Sequence, residues 1–450
     1  MLLDAMYLGL GAAILRATGT RISGRIRLAG LSLALGWATF AVIASLALVV
    51  GLALSAWQIV ALSAAVAAGT LLRIRRGPRS EGSEHSDEGW RRYLGLGAAG
   101  LLASYLGLLV LRSLFASADT NYDSWAFWLS KAQAIYFFGG LDTSSGGFTS
   151  FDNPEYPPAA PALDAAVFHF AGGVETSALP FQHALLGAAF FVAAAALLST
   201  RVQGWILWPS LLVLALAPNI AFYLEAALAD LAVAYFVGLG AIACALWLLE
   251  EMRGTLPLAG IFLAAASLTK TEGFMLSAVL VVALTLATLV RTRQPRRRRP
   301  LLLLAAAPIL ALSAWKVWLA ANDQPLGSVL YSVSDALRPG YLAERIDRLT
   351  YAAGELLGLV FDPQRWLLIA PLALLAGVVT LIRRPALGIF YLGWLVIGFV
   401  GLTSVYWISN ADVAWHVGTS ANRVAASLMV FAGVLLPLLL AELGRTPQRP

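Results

Sequence analysis

Charge is scarce in this chain of 450 residues: 12% are Asp, Glu, Lys or Arg, about half the ~25% share of soluble domains. Cysteine is scarcer. Cys244 is the only one and lies inside an apolar run, which excludes a disulfide framework and a Cys-based metal centre. The sequence also lacks GxSxG, Walker A, HExxH and a strand-led GxGxxG, so classical hydrolysis and ATP-driven transport have no usual machinery here. Apolar residues fill the space, at 59% of the chain. Runs of roughly 15 to 25 such residues recur from end to end, each long enough or nearly long enough to cross a bilayer. A soluble enzyme, a secreted disulfide scaffold and a disordered protein are excluded. The expected class is an all-α polytopic membrane protein.

The apolar pattern predicts about 13 transmembrane helices. They lie near residues 2–17, 29–50, 53–72, 93–114, 181–200, 203–218, 226–249, 256–270, 273–291, 301–320, 366–382, 386–408 and 423–442. The net charge of +6 is concentrated in two arginine clusters. One holds Arg73, Arg75, Arg76, Arg79, Arg91 and Arg92; the other holds Arg291, Arg293 and Arg296 to Arg299. Both sit between apolar runs, so they orient the chain with these loops in the cytoplasm rather than marking a nucleic-acid partner. Met1 to Leu15 has no basic leading region and no clear cleavage site, so no cleavable signal peptide is expected. The Ala/Leu/Arg-rich composition suggests a bacterial inner (cytoplasmic) membrane. The expected organisation is three leading helices over 1–76, a cytoplasmic linker over 77–92, a transmembrane core over 93–442 and a cytoplasmic tail over 443–450.

Two external segments, Ser117 to Leu179 and Asn322 to Arg365, are too long to be simple connectors. Within the first, SWAFWLSKAQAIYFF puts Trp125, Trp128, Ala132, Ile135 and Tyr136 on one face at helical spacing, suited to lying in the headgroup layer. Lys131 is expected to snorkel toward the headgroups. A second short helix is expected after Pro157, Pro158 and Pro161, because proline is tolerated in a first turn. The candidate acids are Asp119 and Asp123 in ADTNYDSW, Asp152 and Glu155 in FDNPEYPP, and Glu225 and Asp230 in YLEAALADLAVAYF. Asp119 and Asp123 could face one volume from a helix start, or could cap that helix. Carboxylates at the external surface also suit a divalent cation, Mg²⁺ or Mn²⁺, with Asp119, Asp123 and Asp230 the candidate ligands. Lys270 in LTKTEGF and Arg423 in WHVGTSANR are cations on the external side. Each could bind an anionic ligand, a phosphate above all, or pair with Glu272 or Asp412. His169 and His416 are the external histidines.

These segments, in this order, resemble the integral-membrane glycosyltransferases of the GT-C superfamily, including the protein O-mannosyltransferases and the lipid A aminoarabinose transferase. The likeness rests on ADTNYDSWAFWLSKAQAIYFFGG, NPEYPPAAPALDAAVFHFAG and SLTKTEGF, and covers roughly residues 93–442. Relatives carry adjacent acids in the first loop, whereas here Thr120 follows Asp119. The absence of a large external C-terminal domain argues against the oligosaccharyltransferase type. The resemblance implies a sugar donor linked to polyprenyl phosphate, an acceptor hydroxyl on a glycan, lipid or protein, and inversion at the anomeric carbon. Asp119 would be the base, with Asp123, the nearest second acid, or Asp230 orienting it or holding a cation, and Lys270 and Arg423 would stabilise the leaving phosphate. Asp152, Glu155, Tyr156, Glu225, Asp230 and His416 would orient the acceptor or the base. The alternatives are a secondary transporter or lipid flippase, and a polysaccharide ligase using polyprenyl-linked donors.

Overall fold

The computed structural model describes residues 1–20, 22–71, 88–120, 122–225, 227–250, 254–291, 299–328, 330 and 333–445. Helix predominates, at 81%, and there is no strand among the described residues. The N-terminal helices are α1 (Leu2–Thr18), α2 (Arg25–Val49) and α3 (Ala56–Leu71), followed by α4 (Trp90–Ser113). The first long loop contains α5 (Leu129–Phe138) and α6 (Ala159–Ala171). Then come α7 (Ala178–Leu198), α8 (Gly204–Ala215), α9 (Pro218–Glu225), α10 (Ala229–Glu250), α11 (Thr255–Thr269), α12 (Thr271–Arg291) and α13 (Arg299–Ala321). The second long loop carries α14 (Val333–Ala336), α15 (Ile346–Val360) and α16 (Pro363–Trp366), before α17 (Ile369–Arg383), α18 (Pro385–Ile408) and α19 (Val413–Leu443). Among the described residues, eight helices are long and apolar enough to cross a membrane, or nine counting α8 with the start of α9 as one bent span. The chain is a polytopic membrane protein.

Burial sorts the helices into layers. α10 is apolar all round and 94% of its most hydropathic window is buried, so it stands at the centre; α4 and α13 reach 28% and face lipid. α10 packs on α11 and α19, and α19 on α17. α1 and α2 cross closely: a Cβ at Gly11 would meet the Ser32 carbonyl oxygen at 1.8 Å, and one at Gly36 the Tyr7 carbonyl oxygen at 1.9 Å. α2 in turn packs on α7, α11 and α13. The leading helices therefore share the core of the bundle. The Gly-rich linker after them falls mostly outside the described residues, as does most of each arginine-rich loop.

Three local features depart from the expected pattern. The run 203–218 breaks before Pro218, which lacks the N–H to continue a helix, and α8 and α9 meet at 63°. Residues Ser124–Trp128 form a π-helical turn. This wider turn sets Trp125 outward, 48% exposed, while Trp128, Ala132 and Ile135 are buried. The buried face lies against α6 rather than in headgroups. Lys131, expected to snorkel, is fully buried. The expected second helix does form, as α6, with Pro161 in its first turn.

α11 and α12 are separated by one extended residue, Lys270 (φ −157°, ψ 153°). The turn closes only because residue 273 is glycine: a Cβ there would sit 2.0 Å from the Ala266 carbonyl oxygen. Gly273→Ala is expected to destabilise the protein by about 1–3 kcal/mol, since backbone must move. Gly97→Ala, which meets nothing within 4 Å, should leave stability unchanged or slightly raised. Thermal unfolding midpoints of the two purified variants in detergent check this, and equal midpoints would refute the close-packing argument.

Candidate functional site

Both long loops and the ends of three spans meet at one end of the bundle, around a cavity of about 810 Å³. The turn before α5 supplies Asp123 and Phe127; the loop before α6 supplies Asp152, Asn153 and Tyr156; α12 supplies Glu272 with Lys270 just before it. α18 contributes Leu402, Val405 and Tyr406, and α19 contributes Trp415, His416, Thr419, Ser420 and Arg423. Those α19 residues recur at helical spacing within WHVGTSANRV, so one face of one helix forms a wall of the cavity. Asp412 caps α19 by accepting from the Trp415 N–H at 2.8 Å.

Two ion pairs set the electrostatics. Lys270 Nζ donates to Asp230 Oδ1 at 2.9 Å and lies 3.3 Å from Glu272 Oε1, with lysine and Asp230 both buried. Arg423 pairs with Asp123. Arg423 is steadied by its neighbour: Asn422 Nδ2 donates to Tyr223 Oη at 2.6 Å, and Asn219 Nδ2 donates to Asn422 Oδ1 at 2.9 Å. His416 Nδ1 bonds Ser409 Oγ at 3.0 Å, and Tyr406 Oη bonds Ser420 Oγ at 3.0 Å.

Tyr156 links the loop to this charge system. Its ring stacks on Trp128 (5.5 Å between centroids, 9° between planes). Lys270 Nζ lies 5.7 Å and Lys131 Nζ 5.9 Å from its centroid, both within cation–π range. Lys131 Nζ donates to the Asn153 carbonyl oxygen. Asn153 has a left-handed backbone (φ 55°), so this bond holds a sharp turn whose flanking residues point into the cavity. Burial pushes the Lys131 ammonium down to about 7, against the opposing pull of Glu155 and Asp152.

The candidate residues divide. Asp123, Asp152, Tyr156, Lys270, His416 and Arg423 line one cavity, and Asp230 lies beneath it in contact with Lys270. Asp119 does not join Asp123: it sits exposed in a 3₁₀ turn (Ala118–Thr120), separate from the helical turn that begins at Ser124, so the four-residue spacing does not bring them to one face. Glu155 turns inward and is buried, and its carbonyl oxygen accepts from Trp315 Nε1 at 2.9 Å. The Glu225 side chain falls outside the described residues. Lys270 takes Glu272 as one partner, as expected, whereas Arg423 takes neither Glu272 nor Asp412. The sequence reading missed Asn153, Tyr406, Thr419 and Ser420, although the α19 pair was legible from the spacing inside WHVGTSANR.

The proposed cation ligands do not converge. Asp123 is held by Arg423, Asp230 by Lys270, and Asp119 lies elsewhere. Among the described residues no group of three or more His, Cys, Asp or Glu side chains is arranged to hold a metal ion. As placed, these three carboxylates do not form one shared cation site.

Lys131 gives a pH test. Its folded value, about 7, lies below the ~10.4 of an unfolded chain, so between them the unfolded state binds more protons and stability rises with pH. The wild-type unfolding midpoint should climb relative to Lys131→Met from pH 7 toward pH 10. Parallel midpoint curves would show that Lys131 does not titrate in this window. No family model, curated protein or solved structure matches this chain.

Proposed function

We propose that the chain is an inverting membrane glycosyltransferase, which moves a sugar from a polyprenyl-phosphate donor to an acceptor hydroxyl. The observation that carries this reading is a single cavity at the membrane end of an apolar bundle, lined by two cations, three carboxylates and several aromatic rings. Its volume of about 810 Å³ falls in the range of small-molecule sites. Carboxylates can deprotonate a hydroxyl, cations can hold a lipid phosphate, and aromatic rings can pack against a sugar. In this reading the fold has about 13 spans and a GT-C-like core, and the cavity faces the periplasm or exterior of a bacterial inner membrane.

The acceptor oxygen attacks the anomeric carbon as the bond from that carbon to the phosphate oxygen breaks. The bonding pair leaves on the phosphate, and the hydroxyl proton passes to a carboxylate. That carboxylate is Asp123, not Asp119, because Asp123 lines the cavity. Arg423 carries five N–H donors, more than one carboxylate requires. As the donor enters, its phosphate takes over part of the guanidinium, leaving Asp123 freer to accept the proton. Lys270 contributes positive charge from beneath. Asp152, exposed and lining the cavity, orients the acceptor. Transporters place ionisable residues near the bilayer midplane; here the cavity's ionisable residues gather at the ends of the spans.

The test uses purified protein in lipid, a panel of radiolabelled polyprenyl-phosphate sugars and a membrane extract from cells lacking this protein. Asp123→Asn should lower transfer by about 100-fold or more, while Asp119→Asn stays near wild type. Arg423→Lys keeps the charge but loses the planar fork, and should raise the KM for the donor. Wild-type transfer by Asp123→Asn would remove it as the base. No transfer from any donor, in protein shown to be folded, would sink the glycosyltransferase reading.

A further inference from the structure

At the end of the bundle opposite the cavity, arginines from several elements gather around one carboxylate. Glu442, near the end of α19, is 1% exposed. It accepts from Arg201 Nε at 2.7 Å and from Arg445 Nη1 at 3.1 Å, and Arg384 Nε lies 3.8 Å from its other oxygen. Around this centre, Arg383 Nη1 donates to the Leu443 carbonyl oxygen at 2.9 Å and Arg445 Nη2 to that of Arg201 at 2.8 Å. Arg27 Nη1 donates to Ser199 Oγ at 2.8 Å, just past the end of α7. Helix C-termini attract cations, and α7, α17 and α19 all end here.

Two observations point to an anion above this cluster. A guanidinium has five N–H donors. Among the described residues, exposed Arg383 uses one and Arg445 uses two, which leaves a donor surface on the outer side. Beside them, Leu381, Ile382 and Leu440 are exposed apolar side chains near the ends of α17 and α19, with Ile382 at 76%. On a membrane protein such side chains face lipid, so the arginines sit at the boundary between lipid and water. A phosphate attached to acyl chains meets both surfaces at once; a free anion meets only the first.

We propose that this cluster binds the phosphate of an anionic phospholipid headgroup in the leaflet opposite the cavity, with the acyl chains against Leu381, Ile382 and Leu440. This site is independent of the proposed transfer reaction. Binding would bridge α17, α19 and the α7–α8 turn across the same Glu442 centre.

The experiment adds phosphatidylglycerol, phosphatidylcholine of the same chain length, or inorganic phosphate to the purified full chain in detergent. It reads the unfolding midpoint and the lipid retained in native mass spectra. Phosphatidylglycerol alone should raise the wild-type midpoint and be retained. In Arg383→Gln/Arg445→Gln the apparent affinity should fall roughly 30-fold, and in Arg383→Gln, which leaves every Glu442 pair intact, about fivefold. Arg338→Gln, an exposed arginine at the other end (72%), should bind like wild type. Equal phosphatidylglycerol responses in wild type and Arg383→Gln would overturn the proposal even if the double variant fails to fold. A full response to inorganic phosphate alone would reassign the site to a free anion, and one to phosphatidylcholine would remove the charge argument.

Discussion

A lysine placed between two apolar helices must find anions or lose its charge, and that constraint organises the cavity end of this protein. Lys270 is the one residue that interrupts α11 and α12, and its ammonium is buried against Asp230 and Glu272. Removing either member of a buried pair commonly costs about 3–5 kcal/mol, because the other charge is left uncompensated. The pair therefore fixes α10 against the α11–α12 break. It also sets the floor of the cavity, on which Tyr156 rests.

The first loop reaches that floor through a second buried lysine. Lys131 lies among Trp128, Phe148 and Tyr156, with its charge directed to the Asn153 carbonyl oxygen. A neutral residue of the same length would fill the space but leave that oxygen unbonded. The loop is thus a built wall: Tyr156 stacks on Trp128, and its turn is held by Lys131 on the Asn153 carbonyl oxygen and Trp315 on that of Glu155.

α19 joins the two chemically distinct ends. Its start carries His416 and Arg423 into the cavity, and its end carries Glu442 into the arginine cluster. Between them it is packed through Phe431, which stacks 3.8 Å from Trp394. A helix of 31 residues thus carries ion-paired side chains at both ends.

Much was legible from the sequence because apolar length and period act locally. The helical class, the positions of the apolar helices, the helix after Pro158 and the break at Lys270 follow from hydropathy, proline chemistry and a charge between two apolar runs. Partner choice was not legible, because it depends on which helices become neighbours. Arg423 and Asp123, far apart along the chain, pair in one cavity, and Asp119, four residues from Asp123, does not share it. The burial of Lys131 needed the π-helical turn that rotates one residue out of the periodic face. Sequence determined where the chain enters apolar surroundings, since transfer free energy is a property of each segment; tertiary structure decided which charges meet there, since pairing depends on segments distant along the chain.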